Sequence, residues 1–201
     1  MLCLAVAMGI GRFAFTPLLP MMLHDGVIAL PQASWLATAN YIGYWVGAIA
    51  CAFQPWVWAR FVGKGLAMTS AIRLGLVATV VLTLAMALPW SGGWPWWRFM
   101  AGVASALVFV AGGLLAARLG ARYPRHSGLL LGMYYGGTGL GIVASAVLVP
   151  WLLERFAAQP HGWQWSWWAL ALACGLGTAV LVWPARVMAR WALPATGAAT
   201  A

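Results

Sequence analysis

The stretch MGIGRFAFTPLLPMM, residues 8–22, carries one ionised side chain, Arg12, among residues that otherwise partition out of water. A guanidinium keeps its charge and offers five N–H donors, so its chemistry is the recognition of carboxylate, phosphate or carbonyl oxygen. A second arginine, Arg98, opens the run RFMAGVASALVFVAGG. Two polar pairs accompany them, Asn40 with Tyr44 and Tyr134 with Thr138. Each pair is four residues apart, which puts its members on one face of a helix. Arg12 and these two faces would line a cavity with hydrogen-bond donors. The other reading is that each group satisfies itself against a neighbouring helix.

Other chemistries lack their parts. Nucleophilic catalysis needs a base within hydrogen-bond reach of the nucleophile. His24, His126 and His161 all fall in breaks between apolar runs, and no GxSxG occurs. No His, Cys and acidic residues cluster at metal-ligand spacing, and no GxxxxGK[ST] phosphate loop is present. The sequence therefore points away from an enzyme and calls for no metal or cofactor. Cys3, Cys51 and Cys174 sit within apolar runs and read as inert thiols.

The elements that must position these residues follow from composition. Hydrophobic residues make up 64% of the 201, with eleven basic and two acidic side chains. Mean hydropathy is +0.89. A soluble domain carries about a quarter charged residues, so this chain's natural solvent is lipid. The net charge of +9 does not indicate nucleic acid, because the charges lie in short breaks between apolar runs. A helix needs about 20 apolar residues to cross the hydrocarbon core. Six runs qualify, roughly 2–22, 33–55, 66–88, 95–118, 127–152 and 164–184. Arg60, Lys64, Arg118, Arg122, Arg125, Arg186 and Arg190 fall on one side of this map; Asp25, Glu154 and Arg155 fall on the other. The positive-inside rule then places both termini in the cytoplasm. Of the fifteen tryptophans, all but Trp45 lie near span ends and read as headgroup anchors.

On this map Arg12 lies about eleven residues into span one, roughly 16 Å deep at 1.5 Å per residue. An arginine at that depth costs about 2.5–3.5 kcal/mol and faces a bundle interior or a wet cavity. No Asp or Glu lies within any span. The partner of Arg12 is thus a backbone carbonyl, a water, an anionic ligand or another part of the protein. Arg98 begins span four and Arg73 lies seven residues into span three; both can snorkel to a headgroup boundary, with a functional role the alternative for Arg98.

Helices in lipid associate by close packing and interhelical hydrogen bonds, for which small residues are the means. Span two offers Gly43 and Gly47; span five offers Gly128, Gly132 and Gly136 on one face. These glycines are expected to pack helices, with bending or gating as the alternative for the dense GMYYGGTGLG. Glycine pairs three spans apart suggest a three-plus-three inverted repeat, as in many transporters.

The segments GIGRFAFTPLLPMM and QASWLATANYIGYWVGA, with RFMAGVASALVFVAGG and GLLLGMYYGGTGLGIVASAVLVP, resemble the YbfB/YjiJ-type transporters of the major facilitator superfamily over nearly the whole chain. The resemblance implies an all-α membrane protein of twelve helices in two six-helix bundles, with the substrate path between them. This chain would supply the amino-terminal bundle, residues 1–184, followed by a tail or linker, 185–201. It also implies that Arg98 and Gly102 stand in the fourth-helix motif associated with proton coupling. In the cytoplasmic loop after span two, Arg60, Gly63 and Lys64 match the superfamily's pattern, but its aspartate is missing. The expected function is secondary transport of a small solute across the inner membrane, with the arginines favouring an organic anion and a coupling ion allowed. The expected partner is a second six-helix half or a second copy of the chain. The alternative is a degenerate half-transporter that does not transport but binds or regulates a membrane partner.

Overall fold

A computed structural model of the chain describes residues 1–61, 67–156, 159 and 161–181. Gly63, Lys64 and the tail from residue 182 lie outside the described residues. The described chain is helical throughout, with no strand among its residues. Its six long helices are α1 (Leu2–His24), α2 (Leu30–Phe61), α3 (Met68–Ala85), α4 (Trp94–Arg122), α5 (Ser127–Phe156) and α6 (Gly162–Val180). Five of them, α1 to α5, are long and apolar enough to cross a bilayer. The sixth begins GWQWSWW, and Gln164 with the indoles lowers its apolarity. Both α2 and α4 run past the apolar stretches that predict them, because polar side chains at a membrane surface do not interrupt backbone bonding.

Local signals set the ends. After α1 the chain turns at Gly26, whose φ of 64° is cheap only for glycine. Gln32 then reaches back from the first turn of α2 to accept the Ala29 N–H at 2.9 Å, half of a capping box. Between α3 and α4, the Trp94 indole donates to the Leu88 carbonyl at 3.1 Å, and Gln164 of α6 donates to the Ala87 carbonyl at 2.9 Å.

Helix α1 is not regular. Residues Ala5–Phe13 form a π-helical stretch between α-helical turns. π-turns are rare and concentrate at functional sites. Pro17 follows this stretch and has no N–H, so neither Phe13, four residues back, nor Arg12, five residues back, can receive a backbone bond from it. Carbonyls here need donors from elsewhere.

Glycine contacts define two helix crossings. At α2–α4, a Cβ on Gly43 would strike the Phe99 carbonyl, one on Gly102 the Asn40 carbonyl, and one on Gly47 would come within 2.9 Å of Val103 Cα. At α1–α5, Gly9 lies against Gly141, and Gly137 against Met1. Along each crossing the contact pairs advance together, so both helix pairs run parallel. The stripe Gly128, Gly132 and Gly136 is not the packing face of α5. Nothing lies within 4 Å of a Cβ at any of the three, and all are exposed. The row that packs is Gly137, Gly141 and Ser145, about 100° further round the helix.

Two apolar clusters flank the level of Gly9–Arg12. One gathers Phe15, Leu18, Met22, Trp94, Trp163 and Trp167; the other gathers Leu4, Val6, Leu76, Val108, Tyr134 and Cys174. Trp94, Trp163 and Trp167 are therefore core residues rather than headgroup anchors, with Trp94 edge-on to Trp163 at 5.5 Å. Trp35, Trp56, Trp90, Trp96, Trp151, Trp165 and Trp168 are exposed, as anchors must be, and so is mid-helix Trp45.

Candidate functional site

Two other helices supply donors to carbonyls of the π-helical stretch of α1. Ser145 Oγ on α5 donates to the Gly9 carbonyl at 2.9 Å, and also to Gly141 in its own helix. Arg98 on α4 donates from Nη1 to the Gly11 carbonyl at 3.4 Å and from Nη2 to the Arg12 carbonyl at 3.2 Å. Its guanidinium also sits 4.7 Å over the Phe15 ring. Arg98 is 3% exposed, so it does not snorkel to a headgroup boundary. The carbonyls made available by irregular α1 hold it inside the bundle. Asn40 completes this corner, donating from Nδ2 to the Arg98 backbone carbonyl at 2.9 Å. It is fully buried in the α2–α4 crossing and so parts company with Tyr44, one turn on.

Arg12 points the other way. Its guanidinium carbon lies 4.2 Å from the Tyr44 ring centre, 4.9 Å from Tyr41 and 5.5 Å from Phe13. Each such contact is worth about 0.5–2 kcal/mol, more as the site dries. Arg12 is half-buried, and its Nε is buried with no hydrogen-bond partner among the described residues. At the far end of α1, His24 Nδ1 lies 3.3 Å from an Asp25 carboxylate oxygen. The charge of Arg12 thus rests on aromatic faces and meets no carboxylate.

The rings continue across the bundle. Tyr44 meets Phe109 of α4 edge-on at 6.1 Å, Phe109 meets Tyr135 of α5 at 5.2 Å, and Tyr135 meets Tyr134 at 5.1 Å. Tyr134 is buried, and its hydroxyl donates toward the Val108 carbonyl at 2.8 Å, with Phe109 at 3.2 Å. Gly112 makes room for it, since a Cβ there would strike the hydroxyl. Tyr134 is therefore a strut between α4 and α5. Thr138 is half-buried, and its hydroxyl has no partner among the described residues.

Of the residues singled out from sequence, the structure brings Arg12 and Tyr44 together and ties Asn40 to Arg98 behind them. Arg60 is exposed on the last turn of α2, away from this corner, and Arg73 is exposed on α3. Sequence reasoning missed Phe13, Phe15, Phe109 and Ser145. Ser145 had a legible signal, since it extends the Gly137–Gly141 row by four residues. The phenylalanines had none, because apolar residues in an apolar run carry no pattern of their own.

In comparison with known proteins, the family described as an uncharacterised MFS-type transporter, YbfB, matches residues 4–200. No curated protein and no solved structure matches the chain.

Proposed function

The chain belongs to the YbfB-type family of major facilitator transporters, and we propose from that premise that it carries a small organic anion across the inner membrane along a path past Arg12. The observation behind this reading is a guanidinium deep in an apolar helix, held by Tyr41 and Tyr44 and met by no acid. A charge costing about 2.5–3.5 kcal/mol to insert is retained where it binds or couples to something. Arg98 serves as the positioning residue behind it, fixing the π-helical stretch from which Arg12 projects. In this reading all six helices span the bilayer with both termini cytoplasmic. The first three and last three then form an inverted repeat, and the unit acts as one bundle of a larger transporter.

The open face of α5 supports a partner. Gly128, Gly132 and Gly136 form a row that no described residue covers. Small-residue rows are the surfaces on which membrane helices dock. A second six-helix bundle or a second copy seated there would close the solute path. A bundle that binds such a partner without transporting is the second reading. Uptake separates the two. In proteoliposomes loaded with a panel of labelled organic acids, the wild-type chain with its partner should exchange at least one. Arg12→Ala should lower that exchange by at least tenfold, equivalent to about 1.4 kcal/mol, at unchanged protein level. Exchange at the wild-type rate in this variant would remove Arg12 from the path.

A further inference from the structure

Building on the reading of the Arg12 region as the solute path, we propose that it takes an aromatic monocarboxylate, an anion of single charge with a flat unsaturated body. Charge balance carries the first half. The chain has two acidic residues, Asp25 and Glu154; the first pairs with His24 and the second is exposed on the last turns of α5. The neighbouring cation, Arg98, is sealed behind α1 with both Nη atoms on carbonyls. Among the described residues of this corner, one guanidinium can therefore touch a solute. It balances one carboxylate, and a second carboxylate on the same solute would meet aromatic rings with no second described cation free to receive it. A cationic solute would meet Arg12 as a like charge.

Shape carries the second half. The Arg12 guanidinium carbon lies over the Tyr41 and Tyr44 rings, and a planar carboxylate would pair with its N–H groups beside them. Beside it the Tyr44–Phe109–Tyr135 run offers ring faces and edges from three helices. Tyr41 and Tyr135 are 56% and 42% exposed, so these rings are not spent on the core. Tyr134 backs them with its hydroxyl turned onto backbone carbonyls, presenting a ring and no donor. An aromatic body gains ring–ring contacts with such neighbours beyond the area it buries. A saturated body of the same size gains only the burial.

The test uses the full chain in lipid nanodiscs, with benzoate, cyclohexanecarboxylate and succinate as probes. Benzoate should bind about three- to tenfold tighter than cyclohexanecarboxylate, and succinate at least tenfold weaker than benzoate. Arg12→Gln should weaken benzoate by at least tenfold. Tyr135→Leu should equalise benzoate and cyclohexanecarboxylate at an unchanged thermal midpoint, a loss of discrimination that a merely structural role would not produce. Equal binding of the ring and saturated acids to the wild type, tighter binding of succinate, or Arg12→Gln binding benzoate normally would each overturn the proposal. Benzoate counterflow in proteoliposomes separates this from the transport reading. Selective binding without exchange keeps the site and removes the transport role. Exchange of another solute by a chain that ignores benzoate removes the proposed class alone.

Discussion

The α2–α4 and α1–α5 crossings use the same means and reach different ends. Each is a parallel pair in which glycine meets backbone, and each is pinned by a side chain donating to a carbonyl of the partner helix. Asn40 holds the Arg98 carbonyl in one, and Ser145 holds the Gly9 carbonyl in the other. At α2–α4 both helices remain regular, and the pin adds to a ladder that is already complete. At α1–α5 one partner is π-helical, and the pin supplies a carbonyl in an irregular ladder. The lesson is that glycine contact brings helices together but does not decide what the contact is for. The site arises where the backbone of one partner has been remade, so that its carbonyls can draw a second arginine inward.

The largest expected effect breaks the regular crossing. Gly102→Leu places a side chain where even a Cβ strikes the Asn40 carbonyl. It should cost about 3 kcal/mol or more, read as loss of folded protein in thermal or SDS unfolding. Gly132→Leu adds the same side chain where nothing lies within 4 Å and should change stability by less than about 0.5 kcal/mol. Equal losses in the two would show that the face assignments are wrong.

A middle effect sharpens the difference between the crossings. Arg98→Lys keeps the charge but cannot fork onto two carbonyls. It should cost about 1–3 kcal/mol through the carbonyl left bare. It should also speed amide hydrogen exchange within Ala5–Phe13 while leaving the α2–α4 crossing protected. Uniform deprotection of both crossings would mean that Arg98 supports the bundle at large. The smallest effect compares the two pins. Asn40→Ala should cost about 1–2 kcal/mol, because its amide is buried and bonded across helices. Ser145→Ala should cost about 0.6 kcal/mol or less, because Ser145 also bonds within its own helix. A reversal of that order would place the stability of the bundle at the irregular crossing.

Much of the fold was legible because apolar runs long enough to span a bilayer have few other uses. Arg12 was legible for the same reason, as a charge in a place that repels charge. The face of α5 was not. Gly128–Gly132–Gly136 and Gly137–Gly141–Ser145 have the same spacing, and spacing alone does not distinguish a row that meets a helix from one that awaits one. For Arg98 the sequence left two directions open, because a position near a span end permits both. What decides between them is the supply of carbonyls on another helix, which no local pattern records. The π-helical stretch that supplies them was hinted at only by Pro17, whose effect falls four and five residues behind it.

The dependence of α1 on distant donors also has a consequence in time. Arg98 is 86 residues downstream of the Arg12 carbonyl that it caps, and Ser145 is 136 residues downstream of Gly9. At about 5–20 residues per second, the ribosome delivers Arg98 roughly 4–17 s after Arg12. For that interval α1 is a nascent segment whose Gly11 and Arg12 carbonyls lack the donors they have in the finished bundle. The carbonyl bonding of α1 is therefore completed only when α4 and α5 arrive, long after α1 itself is made.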